Sequence, residues 1–108
     1  MKIQVITTTC SNDPEALTIA NKVVEEKLAF CAQVTPQITS IYPWKEKIEQ
    51  SSEVGLVLKT SSNLSDRLVS RLRELHPYQT PQVISYPAEI ISVPYENWAK
   101  DWLNSTES

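Results

Sequence analysis

Two long alternating runs, separated by three polar residues, constrain this chain more than anything else in it. From Ala32 to Trp44 the period is two, with Val34, Ile38, Tyr42 and Trp44 on one face and Thr35, Gln37 and Thr39 on the other. Lys45-Glu46-Lys47 interrupts the pattern, which resumes from Ile48 to Thr60 with Val54, Leu56 and Leu58 in register. Two such runs around a short polar break predict a β-hairpin. Each arm is about a dozen residues long, beyond the usual strand range of about 3–10. Few apolar residues lie between Ile48 and Val54, so the outer part of the hairpin cannot all rest on a small domain. An overhanging hairpin exposes unpaired edges unless something covers them, and the simplest cover is a second copy of the same chain.

The flanking segments complete a pattern. Lys2 to Thr9 reads as a strand. Asp13-Pro14 opens a helix, with a capping carboxylate before a first-turn proline. Its apolar side is Leu17, Ala20, Val24 and Leu28, and its wet side Lys22, Glu25 and Glu26. Asn63-Leu64-Ser65-Asp66 resembles a capping box ahead of a second helix striped by Leu64, Leu68, Leu72 and Leu75. Gln82 to Tyr86 reads as a short strand ended by Pro87. Pro94 opens a last helix carrying Tyr95, Trp98 and Trp102 on one side, and residues 104–108 form a polar tail. The order βαββαβ plus a terminal helix predicts an α+β, ferredoxin-like sandwich in one domain, residues 1–108, with an extended hairpin between its second and third strands. The helices should cover one sheet face. Val5, Ile41, Val57 and Ile84 place apolar residues on the other, which implies association through it.

Composition excludes several functions. A net charge of −3 argues against nucleic acid or an anionic membrane as partner. The predicted central strands carry no aromatic ring, so the RNA-recognition mode is rejected. No apolar run is long enough to span a bilayer, and Met1-Lys2-Ile3-Gln4-Val5 is not a signal peptide's apolar stretch, so the expected location is cytoplasmic. Two cysteines, Cys10 and Cys31, are too few for a disulfide framework and are expected as free thiols. One glycine against seven prolines predicts a stiff, heat-resistant chain and rules out a glycine-rich phosphate loop.

The only histidine stands on a stiff strap, His76-Pro77-Tyr78-Gln79-Thr80-Pro81. Each proline fixes its own φ and pushes the preceding residue into extended geometry. Imidazole is the commonest protein metal ligand, which makes His76 the leading ligand candidate. The plainer alternative is an imidazole bonded to free carbonyls at the end of the second helix. Metal sites gather several donors and one chain supplies too few; in a site shared between subunits Glu53, Glu49, Gln82 or a neighbour's Cys10 could contribute. Cys10-Ser11-Asn12-Asp13 lacks the second thiol of a heavy-metal loop. Lys59 is either a snorkelling strand-end lysine or a cleft charge poised for an anion. Trp44 and Tyr42, at the hairpin tip, read as interface anchors. No nucleophile, base and orienter are recognisable, so an enzyme is not expected.

Three stretches carry a resemblance. Ser40-Ile41-Tyr42-Pro43-Trp44-Lys45-Glu46-Lys47-Ile48-Glu49, then Leu58-Lys59-Thr60, then His76-Pro77-Tyr78-Gln79-Thr80-Pro81-Gln82 resemble the CutA family of divalent-cation tolerance proteins. Glu26-Lys27-Leu28-Ala29-Phe30-Cys31-Ala32 fits the same family. The resemblance implies a very stable homotrimer related in architecture to PII signalling proteins, with hairpins packed on neighbouring subunits. It also implies a role in tolerance of copper and other divalent cations, with no obligatory cofactor and His76 as the metal candidate. The alternative it leaves is a PII-like signalling or adaptor trimer. That trimer would bind a small anionic ligand or a partner protein in an intersubunit cleft near Lys59, Trp44, Tyr78, Glu53 and Gln82. The chain departs from the family pattern at Pro43, often tryptophan, at Glu46, often glycine, and at Gln82, often glutamate. Some members also have a cysteine at the position of Thr8 and paired histidines at Leu75-His76.

Overall fold

The structure, a computed structural model, describes residues 1–105. Strand β1 (Lys2–Cys10) is followed by helix α1 (Asp13–Glu25), strands β2 (Cys31–Trp44) and β3 (Lys47–Ser61), a single 3-10 turn (Ser62–Leu64) and helix α2 (Ser65–Leu75). Strand β4 (Ile84–Glu89) and helix α3 (Val93–Asn104) are the last elements among the described residues. The four strands form one antiparallel sheet in the order β2-β3-β1-β4. This is the expected ferredoxin-like α+β arrangement, with both arms of the hairpin long.

Strand parity divides the core in two. Ile6 and Cys10 of β1 and Val54, Leu56 and Leu58 of β3 pack under α1 and α2, against Ala16, Ile19, Val23, Leu68 and Leu72. On the opposite face Ile3 and Val5 meet Phe30, Ile90 and Ala99 of α3. The third helix therefore lies on the face expected to be bare. It covers only part of that face, because Ile84 and Tyr86 stay about half exposed, at 53% and 48%. Phe30 is the hinge of this contact, taking Tyr95 and Trp98 edge-on at centroid distances of 6.0 and 6.3 Å.

Several local expectations are corrected. The cap of α1 is Asn12, whose side chain accepts from Glu15 N–H at 3.0 Å, while Asp13 is already helical. The buried stripe of that helix is Ala16, Ile19, Ala20 and Val23, and Leu17 is left 49% exposed. Small Ala16 lets the helix approach the sheet closely, which a stripe through Leu17 would prevent. Helix α2 has no side-chain cap, because the 3-10 turn leads directly into it. Strand β4 passes through Pro87, opposite Gln4, instead of stopping there. An outer strand tolerates proline where the missing N–H would face no neighbour. Asn104 belongs to α3 and Ser105 caps it, and the rest of the expected tail lies outside the described residues.

The largest correction concerns the hairpin. Thr35 pairs with Gly55 but Ile38 pairs with Glu53, so Pro36 and Gln37 together oppose Val54. This is a β-bulge, and Gln37 takes a left-handed φ of 49° within it. One extra residue inverts the parity of everything beyond. Ala32 and Val34 pack towards α1 and α2. Ile38, Tyr42 and Trp44 instead share a face with their partners Glu53, Glu49 and Lys47, so Val34 does not lie on a common face with them. The hairpin closes at Lys45 and Glu46, both left-handed with φ of 48° and 66°. A tight two-residue turn of that kind matches strand twist.

Candidate functional site

The strap crosses the end of β1 and is fastened there by the histidine. His76 leaves α2 in extended geometry, its N–H still donating to Leu72 O at 2.9 Å. Its ring is buried. Nδ1 accepts from the Tyr78 backbone N–H at 3.1 Å, and Nε2 lies 2.8 Å from Thr9 O. A backbone N–H can only donate and a carbonyl can only accept, so Nδ1 is the bare nitrogen and Nε2 carries the proton. The imidazole thus bonds the carbonyl of a neighbouring strand, not those ending α2. Cys10 Sγ sits 4.0 Å from Nε2. The Tyr78 ring leans on the imidazole at a centroid distance of 4.7 Å.

Tyr78 carries the connection outward. Its hydroxyl donates to Glu53 Oε2 at 2.8 Å, joining the strap to the root of the hairpin. Burial, and then the Glu53 carboxylate, push the phenol well above its ordinary range, which keeps it a donor. Burial chiefly, with the charges of Glu15 and Glu53, pushes the Cys10 thiol up to about 11. A thiol so placed is neutral and weakly nucleophilic. Glu15 in turn accepts from Ser11 N–H at 3.1 Å. Ser11 and Glu15 were not anticipated as neighbours of the strap; the only hint was an acid in the first turn of α1.

The remaining site candidates are dispersed in one chain. Lys59 faces the α3 side of the sheet between Cys31 and Val5, half-buried and with no ion-pair partner among the described residues. Trp44 closes the hairpin beside Lys47, roughly 40 Å from Lys59 at about 3.3 Å per strand residue. Gln82 is exposed just ahead of β4. Among the described residues no three His, Cys, Asp or Glu side chains converge as a metal site. Two open grooves of about 290 and 360 Å³ flank Leu28 and Arg67, and neither includes His76, Tyr78 or Glu53. What this arrangement does in the chain is hold: it fastens the strap to the end of β1 and to the root of the hairpin.

The family model described as CutA1 divalent ion tolerance protein matches residues 4–102, nearly the whole chain. The chain belongs to the CutA1 family. Among its relatives, human Protein CutA is 47% identical over 92 residues, covering 85% of this chain and 51% of the human one. The Divalent-cation tolerance protein CutA of Thermus thermophilus is 33% identical, covering 91% of this chain and 95% of that protein. The chain thus spans about half the length of its human relative and nearly all of the bacterial one. The crystal structure of CutA1 from the psychrotrophic bacterium Shewanella sp. SIB1, described as a stable protein, superposes with a TM-score of 0.89 at 35% identity. That superposition covers 95% of this chain and 96% of the other.

Proposed function

We propose that this chain acts as a homotrimeric, cytoplasmic divalent-cation tolerance protein, with copper the first ion to test. Family membership supports the cation, and one structural observation supports assembly: the exposed apolar residues include two groups that lie apart. On the overhang Ile41 and Ile48 share one ribbon face and Trp44 lies on the other, 67%, 74% and 55% exposed, while Ile84 and Tyr86 lie on the half-covered sheet face and Trp98 on α3 beside it. In this reading one group packs on the other in a neighbouring copy, a head-to-tail contact that gives a ring where its rotation closes. A metal site within this reading is shared between chains. His76 joins it only by surrendering the Tyr78 N–H or the Thr9 carbonyl, and Cys10 only by releasing a proton. The second reading, a PII-like trimer holding a small anion, rests on Lys59, a half-buried cation on the α3 side of the sheet.

Calorimetric titration with Cu(II), on the parent and on His76→Gln, separates the two. Saturable binding that His76→Gln abolishes is the result expected of the metal reading. Equal weak uptake by both proteins removes His76 from it. Loss of the anion reading requires only that a panel of nucleotides and carboxylates leave the melting temperature unmoved.

A further inference from the structure

Cys10 and Val54 are the last residues paired between β1 and β3. From Glu53 outward the hairpin is a two-stranded ribbon with no third strand beside it among the described residues, and the Pro36–Gln37 bulge sits at that point. Bulges add local twist and bend, and an isolated two-stranded ribbon holds its direction poorly. Among the described residues, one side-chain hydrogen bond joins residues 38–53 to the rest of the chain, and it is Tyr78 to Glu53. Glu53 is also the partner of Ile38, the first residue past the bulge. Tyr78 is placed by its own N–H on His76 Nδ1, and His76 by Nε2 on Thr9 O.

We propose that Thr9, His76, Tyr78 and Glu53 form a latch across the pivot of the hairpin, fixing the direction in which the overhang leaves the sheet. His76 is then a positioning residue acting through Tyr78. Burial of the ring beside Cys10 keeps water from competing for either nitrogen. The Tyr78 ring also rests on the imidazole, so the two rings support each other's position. The latch uses atoms of one chain only, so it stands whether or not the trimer forms; what rests on the trimer is its consequence, aiming the overhang at a neighbour.

Amide hydrogen exchange tests it, on the full chain, with the mass of each variant measured in parallel. Tyr78→Phe and Glu53→Ala, each alone, should speed exchange of the protected amides in 38–52 about tenfold, the size of one hydrogen bond to a charged acceptor. The double variant should add nothing further, because both changes break the same contact. Amides of residues 54–58 should stay within about twofold, since they are held by β1. His76→Gln, lacking the Nδ1 acceptor, should reproduce the pattern. If it does not fold, the Tyr78 and Glu53 pair carries the test alone. Unchanged exchange in the single variants overturns the latch, as does a multiplicative effect in the double or a loss spread equally over 54–58. A monomeric mass with the expected exchange pattern overturns the trimer and leaves the latch standing.

Discussion

On the domain side of the Pro36–Gln37 bulge, Val54, Leu56 and Leu58 are buried beneath α1 and α2. On the far side Ile41, Trp44 and Ile48 are more than half exposed, although the same two paired strands run through both. The inner half is stabilised by burial within its own chain. The outer half has β-propensity, cross-strand pairs and a tight turn, but no third layer. Pairing alone does not give a ribbon of that length a fixed place. The contrast assigns the two halves different work: the inner one folds the chain, and the outer one, held at its root by Tyr78 and Glu53, presents a surface.

The largest effect that would sharpen this contrast comes from matched truncations. Leu58→Ala should lower unfolding stability by about 3–4 kcal/mol in denaturant titration, because its side chain is fully buried and leaves a cavity. Ile48→Ala should change chain stability by less than about 0.5 kcal/mol while weakening assembly. Equal losses at both positions would break the distinction.

Cys10 offers a second test, at the last row before the overhang. The folded thiol is held protonated from its ordinary 9.0 up to about 11, whereas the unfolded thiol ionises first. Stability contributed by this group is therefore complete below pH 9 and lost as pH rises through that window. At pH 8 its reaction with a disulfide reagent should run about 100-fold slower than that of a free thiol, on thiolate fraction alone. Peptide mapping by mass spectrometry reads the rate, and rapid labelling at Cys10 would mean that this row is open.

Much of the architecture was legible in the sequence, and the failures share a cause. The hairpin showed itself because a period of two persists over long runs, and α2 because Leu68 and Leu72 fall where helical spacing puts them. The bulge did not, since Pro36 and Gln37 carry no glycine to mark an inserted residue, and the parity flip that assigns Trp44 to the Glu53 face was lost with it. Leu17 attracted the helix reading by size, although small Ala16 faces the sheet. At the site, the strap and the singular His76 stood out at once. Its partners did not, because the Thr9 carbonyl and the Tyr78 amide are main-chain atoms that no inventory of side chains contains. Glu53 was expected among the groups that could complete a metal site shared between subunits; within the chain its Oε2 accepts from the Tyr78 hydroxyl.

The smallest predicted effect lies at the far end of the hairpin. Glu46 holds a left-handed φ of 66° without being glycine, as does Lys45 at 48°. Glu46→Gly removes that strain and should stabilise the turn by up to about 1 kcal/mol, less the entropy of a freer unfolded chain. A thermal melt checks the sign, and destabilisation would mean that the Glu46 side chain makes contacts outside its own chain.

Both halves of the comparison meet in one measurement, the solution mass at micromolar concentration by light scattering. An outer hairpin that exists to cover, and be covered by, neighbouring copies predicts a particle of three chain masses, reduced by Trp44→Asp. A single chain mass for the parent protein would contradict the account, leaving an exposed ribbon with nothing to hold it.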